Sequence, residues 1–472
     1  MSDAKYSTPA IDDRLSRSAH RVDPFSAFAP SAPGDLAFVK RQQESQWWRP
    51  EHLLEHQLQL LSSLLVHAHA TVPFYRSRIE AAGIDPRPPL GLDDWRRLVP
   101  LTRREVQQSR GQLESSVVPP GHGTSVLVQT SGSTSTPVAV KTTEVDAWVG
   151  GLATLRHFLW HPYDFTAKMV TIRRFAKGEA DGPEGEKSDR WGNVGFFPFA
   201  TGPSARLNIA ASIERQLDWL IAQDPDYLCT YPSNAVQLAL ASRRRGIAFP
   251  HLEHVITLGE VVTPEVRRVC AEIWDTPVID IYSAQEVGVL AHQCPAYEHY
   301  HVQAETALLE VVNERGEPCR PGEVGEVLVT SLFNYAMPLL RYRLGDFAEL
   351  GDACPCGRGL PVLKKILGRE RNSVLVTRTG ERFWPAFGSR GFTRIAPVVQ
   401  HQFIQETPER VEARLVTKRP LTPAEEDALR KHIQAQLPSQ FQIEFAYVGD
   451  IPRSASGKFE PFISRLAAEV GG

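Results

Sequence analysis

Five short segments hold the residues best placed to do chemistry, and they follow one another over more than 300 residues. They are QTSGSTSTPVAV from Gln129, LGE from Leu258, IYSAQEVG from Ile281, RYRLGD from Arg341 and PRSASGK ending at Lys458. Thr130, Ser131, Gly132, Ser133 and Thr134 make a hydroxyl-rich loop that can wrap backbone N–H and hydroxyl donors around phosphate oxygens. It lacks the lysine and following helix of a Walker loop, and taken alone it also reads as a Ser/Thr-rich hairpin loop. Glu286 is a carboxylate able to hold Mg²⁺ together with phosphate oxygens. Asp346 can accept two hydrogen bonds from a ribose diol, and charge-assisted bonds are the strong kind. Lys458 is an ammonium on a Gly-containing loop, suited to negative charge developing on a phosphorus under attack. In isolation Glu286 and Lys458 would each read as solvated surface residues.

The elements around these residues place them at strand ends. Val255-Ile256-Thr257-Leu258 reads as a short buried strand, and Thr263-Pro264 as a helix cap and first turn. Val266, Val269, Cys270 and Ile273 form a helical stripe, and Val278-Ile279-Asp280-Ile281 is the next strand. This βαβ unit puts Gly259 and Glu260, and the stretch Ser283 to Glu286, just past the C-terminal ends of strands, where open α/β sheets bind ligands. Val126-Leu127-Val128 leads into the hydroxyl-rich loop and Val138-Ala139-Val140 leads out. Residues 311–330 alternate as strands do, with turns at Glu314-Arg315-Gly316 and Pro321-Gly322.

Leu54, Leu58, Leu61 and Leu65 recur at helical spacing and open the globular part. Residues 1–45, rich in Pro, Ser and Ala, read as a flexible N-terminal arm. Beyond Gly368 the pattern changes to strands near 398–405 and 410–417, then a helix from Thr422-Pro423, where Thr422 and Glu425 make a capping box. A strand over 441–448 and a last helix from Pro461 complete a small α+β domain of roughly 100 residues. The expected organisation is therefore an α/β domain over 46–368 and a small mobile C-terminal α+β domain over 369–472, with a hinge near Arg369 to Asn372.

A second constellation is a metal site. Cys354 and Cys356 bracket a proline, and a distant Cys/His pair, Cys294 with His299 or His301, completes a donor set suited to tetrahedral structural zinc. CxC in place of CxxC leaves reduced structural cysteines as the other reading.

Composition limits the remaining classes. A chain of 472 residues exceeds one ordinary core. Hydrophobic content of 42%, charge of 23% and a net charge of −3 describe a globular chain without the basic bias that nucleic acid or anionic membrane requires. The N-terminus lacks an apolar signal core, and no apolar run reaches the ~18–20 residues of a membrane span. A cytoplasmic location is expected. Six cysteines in so long a chain do not form a disulfide framework.

In their order and spacing the five segments resemble the adenylate-forming superfamily, in particular its phenylacetate–coenzyme A ligase-like branch. The resemblance runs from about Trp47 almost to the end, and includes HATVPFYRSRIEAAG and VPLTRREV near the start. It implies that ATP and a carboxylic acid give an acyl-adenylate and pyrophosphate, with Mg²⁺ at Glu286 and catalysis by Lys458. It further implies that Thr130 to Thr134, Gly259, Glu260, Tyr282, Asp346 and Arg369 bind ATP. Tyr282 would flank the adenine and Arg369 would reach ribose and phosphates. It favours Cys294, His301, Cys354 and Cys356 as zinc ligands, His301 over His299 on register. The acceptor it implies is coenzyme A, with an amine or a carrier-protein thiol as the alternative and a homodimer as one admissible assembly. The small domain would rotate between the two half-reactions.

The chain departs from the family pattern at Ser135 and Thr136, where Gly and Lys are usual, at Ser283 and Gln285, and at Arg371, where an Asp commonly sits in the hinge. A non-catalytic nucleotide-binding homologue is the reading those departures would favour. Ser212 to Gln216 and Tyr231-Pro232-Ser233 are similar to segments flanking the acyl site. Trp148, Phe196, Phe197 and Phe199 either line an aryl-binding slot together with Tyr231 or belong to the core. The family's Gly-rich aromatic stretch is replaced by GFFPFATGP, so an aromatic or small organic acid other than phenylacetate is expected.

Overall fold

Four apolar runs too continuous to alternate build the middle of the molecule. Met169–Arg173, Tyr227–Thr230, His254–Leu258 and Val278–Ala284 are buried along most of their length, as strands covered on both faces must be. In the computed structural model of the chain, which describes residues 33–87, 89–129, 137–192, 197–369, 374–383, 392, 394–438, 441–454 and 457–466, they pair in parallel. With Ser204–Asn208 as a fifth parallel strand, the order is Ser204–Asn208, Met169–Arg173, Tyr227–Thr230, His254–Leu258, Val278–Ala284. The helices Ile213–Gln223, Pro232–Arg245 and Pro264–Trp274 make the crossovers. The βαβ unit expected around Gly259 is present, with Val266, Val269 and Cys270 buried on its helix.

The same sheet continues in antiparallel fashion through Gly288–Gln293, Tyr300–Val302, Val362–Arg369, Tyr342–Leu350, Val324–Ser331 and Ala307–Val312. With Glu186–Ser188 on the opposite edge it has twelve strands. Ser125–Gln129 and Ala139–Thr143 form a separate antiparallel hairpin, as expected for strands flanking the hydroxyl-rich loop.

Two local expectations change. The arm expected to be loose to residue 45 ends in a helix, Pro33–Ser45. Asp35 accepts a hydrogen bond from the Trp148 indole at 2.6 Å. The Gln42 carbonyl and the Ser45 hydroxyl join a buried ion pair between Arg156 and Glu305, whose closest approach is 2.7 Å. A buried ion pair gains from having its remaining bonding sites filled, and this helix fills one on each partner. The second change is at Pro461. A strand, Phe462–Ser464, takes the place of the expected helix and pairs in parallel with Val398–Thr407. Phe462 is buried against the small-domain core, and the Ser464 hydroxyl donates to Gln405 Oε1 at 3.2 Å. Tertiary pairing outweighs the helix-start signal of the proline here.

The C-terminal part is otherwise as expected. Gln442–Tyr447, Arg410–Thr417, Val398–Thr407 and Phe462–Ser464 form a four-stranded sheet. The helix Pro423–Gln434 covers it, opened by the Thr422–Glu425 capping box. Phe403, Val411, Ala413, Leu415, Leu429 and Ile433 form a core of their own, apart from those of the large sheet. Among the described residues no helix is long and apolar enough to cross a membrane.

Candidate active site

The loop carrying Lys458 lies across the C-terminal ends of the parallel strands. Arg174, Ile209, Tyr231 and Gly259 are each the first residue after one of four such strands, and all four meet this loop. A Cβ on Gly457 would stand 3.0 Å from Ile209 Cγ2 and 3.3 Å from Arg174 Cβ. A Cβ on Gly259 would stand 3.4 Å from both Lys458 Nζ and Tyr231 Cε1. Both glycines have φ of +78°, a conformation that other residues seldom adopt. Glycine here serves the turn and the close approach together. The loop also closes on itself: the Ser454 N–H and hydroxyl both donate to the Lys458 carbonyl, at 2.9 and 3.0 Å.

A group of charged residues in and around the antiparallel half acts electrostatically on Lys458. Asp346 and Arg369 are register partners on adjacent strands, with Arg369 Nε 3.4 Å from Asp346 Oδ1. The Tyr282 hydroxyl donates to Asp346 Oδ2 at 2.9 Å. Glu286, two residues past the Tyr282 strand, has an almost fully buried carboxylate, and Arg103 Nη1 lies 3.1 Å from its Oε1. Arg103 opens the helix Arg103–Gln108, whose start is fixed by a Thr102–Glu105 capping box.

These charges are close enough to shift one another. Burial, then Arg369, pushes the Lys458 ammonium below its usual pKa, against the pull of Asp346, Glu260 and Glu286. Burial alone would lower Arg369 as well, but Asp346 and Glu286 outweigh it and hold its pKa above the ordinary value. Burial, then Asp346, drives the Tyr282 phenol well above its usual range. Tyr282, Glu286, Asp346, Arg369 and Lys458, drawn from positions far apart in the sequence, therefore share one site. Such a group can receive a ribose, balance phosphate charge and present an ammonium to a reacting phosphorus. Arg103 is the member that sequence reading missed. Its only signal was the Thr-Arg-Arg-Glu helix start.

Glu260 is at the same edge, but its carboxylate faces protein donors. Oε2 accepts the Ser233 N–H at 3.0 Å, and Oε1 accepts the Phe459 N–H at 2.8 Å.

The aromatic candidates separate. Tyr231 stands beside Gly259 and Gly457, with its hydroxyl accepting the Arg174 N–H at 3.4 Å. Trp148 is turned toward the helix Pro33–Ser45, its ring 5.2 Å from that of Phe38. Phe197 and Phe199 are buried in an aromatic core with Phe158, Phe165 and Trp191. Of the two readings open for them, core describes their surroundings. Phe196, the loop from Thr130 to Thr136 and Arg371 lie outside the described residues.

The metal-ligand candidates gather at the far side of the sheet. Cys294, His299, His301 and Cys354 have ligand atoms all within 4.8 Å of one another. Cys294 Sγ lies 3.9 Å from Cys354 Sγ, and His299 Nε2 lies 2.9 Å from Cys354 Sγ. Cys356 Sγ is 3.4 Å from His301 Nε2. Tetrahedral zinc with its usual bond lengths spaces neighbouring ligands at about 3.3–3.8 Å, so the cluster has donors of a type and approximate spacing that could hold such an ion. The four preferred candidates, Cys294, His301, Cys354 and Cys356, are here, and so is His299, the competing ligand.

Comparison with known proteins gives concordant results. Residues 375–465 match the family described as CapK C-terminal domain. The chain is 28% identical over 366 residues to the phenylacetate–coenzyme A ligase of Thermus thermophilus, covering 74% of this chain and 77% of that one. It is 26% identical over 344 residues to the phenylacetate–coenzyme A ligase of Pseudomonas putida, covering 69% and 72%. Among solved structures, a 2-hydroxyisobutyryl-CoA ligase in its postadenylation state with 2-HIB-AMP superposes with a TM-score of 0.69 at 18% identity, over 99% of this chain and 96% of that one. The same ligase in its thioesterification state, with 2-HIB-AMP and CoA, gives 0.55 at 19% identity, over 100% and 97%.

Proposed function

The chain belongs to the adenylate-forming superfamily, in its phenylacetate–coenzyme A ligase-like branch, and we propose that it activates an aromatic or small organic carboxylic acid as an acyl-adenylate and passes the acyl group to coenzyme A. It is thus an ATP-dependent, AMP-forming acid–thiol ligase. The observations that support the mechanism are the place of Lys458 beside Gly259 at the strand ends, the Arg369–Asp346 ion pair, and the influence of Arg369, Asp346 and Glu286 on the Lys458 pKa.

In the first half-reaction one carboxylate oxygen of the acid attacks the α-phosphorus of ATP, and the bond to the pyrophosphate oxygen breaks. Asp346, oriented by the Tyr282 hydroxyl and Arg369, receives the ribose hydroxyls and fixes the α-phosphorus. Tyr282 flanks the adenine, and the backbone at Gly259 lets the nucleotide approach closely. The loop from Thr130 to Thr134 takes phosphate oxygens. Lys458 Nζ places a positive charge beside the pentavalent phosphorus, where an ammonium in a partly dehydrated site acts more strongly than in water. Glu286 is the carboxylate that would hold Mg²⁺, which supplies charge neutralisation of the phosphates when bound. In the second half-reaction the thiol sulfur of coenzyme A attacks the acyl carbon and AMP leaves.

We place the domain boundary at Arg369. The separate core of the small domain supports a hinge-type movement that withdraws Lys458 before the thiol enters. Cys294, Cys354 and His301, with His299 or Cys356 as the fourth donor, would hold a structural zinc.

The test is pyrophosphate release from ATP and Mg²⁺ over a panel of aromatic and short organic acids, each with and without coenzyme A. Turnover that needs both an acid and coenzyme A is the expected result, and it names the acid. Turnover indifferent to coenzyme A would assign the acceptor to an amine or a carrier-protein thiol. Silence over the panel, with nucleotide bound, would overturn catalysis.

A further inference from the structure

Lys458 lies on a loop of the small domain, and its usefulness depends on how that loop is held against the large domain. The helix Pro232–Arg245 begins at Tyr231, whose side chain makes no capping bond. Glu260 makes one from a distance, with Oε2 accepting the Ser233 N–H at 3.0 Å. The exposed N–H groups at a helix start attract a carboxylate and fix its orientation. The other oxygen, Oε1, accepts the N–H of Phe459, the residue that follows Lys458, at 2.8 Å.

Arg453 completes the arrangement from the small-domain side. Its Nη1 donates to Ser233 Oγ at 2.9 Å and to the Gly457 carbonyl at 3.2 Å, and lies 3.8 Å from Glu260 Oε1. Its Nη2 donates to Asn234 Oδ1 at 3.3 Å. One carboxylate and one guanidinium thus tie the backbone on both sides of Lys458 to a single helix start. The Glu260–Phe459, Arg453–Ser233 and Arg453–Asn234 bonds pass between domains, and none of the set involves Asp346 or Glu286.

We infer that Glu260 and Arg453 form a clasp that positions Lys458 for adenylation, and that the Glu260 carboxylate works through Lys458 and is not itself a nucleotide ligand. This rests on Lys458 acting in adenylation as proposed above. The geometry gives the amide variant a specific defect. In Glu260→Gln one side-chain oxygen becomes an NH₂ that must face either the Ser233 or the Phe459 N–H, donor against donor, and the charge opposite Arg453 is lost.

The experiment is acid-dependent ATP–pyrophosphate exchange by the full chain. It compares wild type, Glu260→Gln, Arg453→Met, Lys458→Ala and the Glu260→Gln/Lys458→Ala double variant, with the melting temperature of each recorded. Glu260→Gln and Arg453→Met, which cut the clasp from opposite domains, should each slow exchange about 10- to 100-fold, the loss expected when a catalytic group is displaced by about an ångström. The KM for ATP should stay within about threefold of wild type, since a larger rise would signify lost ground-state binding. In the Lys458→Ala background, Glu260→Gln should cost nothing further, because its effect runs through the missing ammonium.

Exchange at full rate in Glu260→Gln, beside a Lys458→Ala that has lost it, overturns the clasp. So does a double variant that loses the product of the two single effects. A Lys458→Ala protein as fast as wild type overturns the adenylation reading itself, and the clasp with it, by a different signature.

Discussion

Replacing Lys458 with alanine should abolish most of the adenylation rate while sparing nucleotide binding. The side chain is half-buried at the strand ends, with Gly259 and Tyr231 against it. Burial already lowers its pKa, so the ammonium is partly stripped of water. A unit charge about 4 Å from a developing unit charge is worth about 4 kcal/mol at an effective dielectric constant near 20. Removing one donor aimed at a developing oxyanion costs about 2.7–4 kcal/mol. Both routes give a fall of about 10²–10³-fold in rate. The ground-state nucleotide retains Asp346, Tyr282 and Arg369, which do not depend on Lys458 for their mutual contacts. Affinity for ATP should therefore change by about threefold or less, about 0.6 kcal/mol. The assay pairs ATP–pyrophosphate exchange with calorimetric ATP titration on the same preparations. A slowdown under about tenfold, or a loss of affinity as large as the loss of rate, would refute the role given to this residue.

Other predictions test the neighbours. In the proposed role Lys458 acts only when protonated, and burial lowers its pKa below the ordinary lysine value, so the exchange rate should fall on the alkaline side, as pH rises through that lowered value. Lys458→Arg should move that limb upward, and an unmoved limb would assign it to another group. Asp346→Asn should raise the KM for ATP about 10- to 100-fold, the worth of a charge-assisted hydrogen bond at about 1.5–3 kcal/mol; saturation kinetics at fixed acid would read it, and an unchanged KM would contradict ribose binding. Protein prepared without chelator should carry one zinc per chain by plasma mass spectrometry, and Cys354→Ser should lose it. A metal-free preparation with full activity and an unchanged melting temperature would rule out the structural zinc.

The sequence revealed most where chemistry and local pattern coincide. The βαβ unit around Gly259 was readable because each strand is a continuous apolar run and the helix has a clear stripe. The Thr422–Glu425 capping box marked its helix to the residue. Asp346, Glu286 and Lys458 were legible as types in order, though not as neighbours. What escaped was set by distant partners. Arg103 is 183 residues from Glu286, and Phe459 is 199 residues from Glu260, so no local spacing could announce either contact. Pro33–Ser45 looked like a loose arm by composition, and its order comes from Asp35, Gln42 and Ser45 meeting Trp148, Arg156 and Glu305. Pro461 carried a helix-start signal that strand pairing overrode. His299 and His301 were both legible as candidate ligands, but sequence spacing alone did not show that the structure gathers both beside Cys294 and Cys354.

The most direct test of the central claim follows one oxygen atom. Attack by the acid's carboxylate on the α-phosphorus leaves one carboxylate oxygen on AMP when the acyl group is transferred. With the acid that supports turnover labelled with ¹⁸O in its carboxylate, mass spectrometry of the products should find one labelled oxygen in each AMP and none in pyrophosphate. Label in inorganic phosphate or pyrophosphate, or AMP without label, would contradict acyl-adenylate formation at this site.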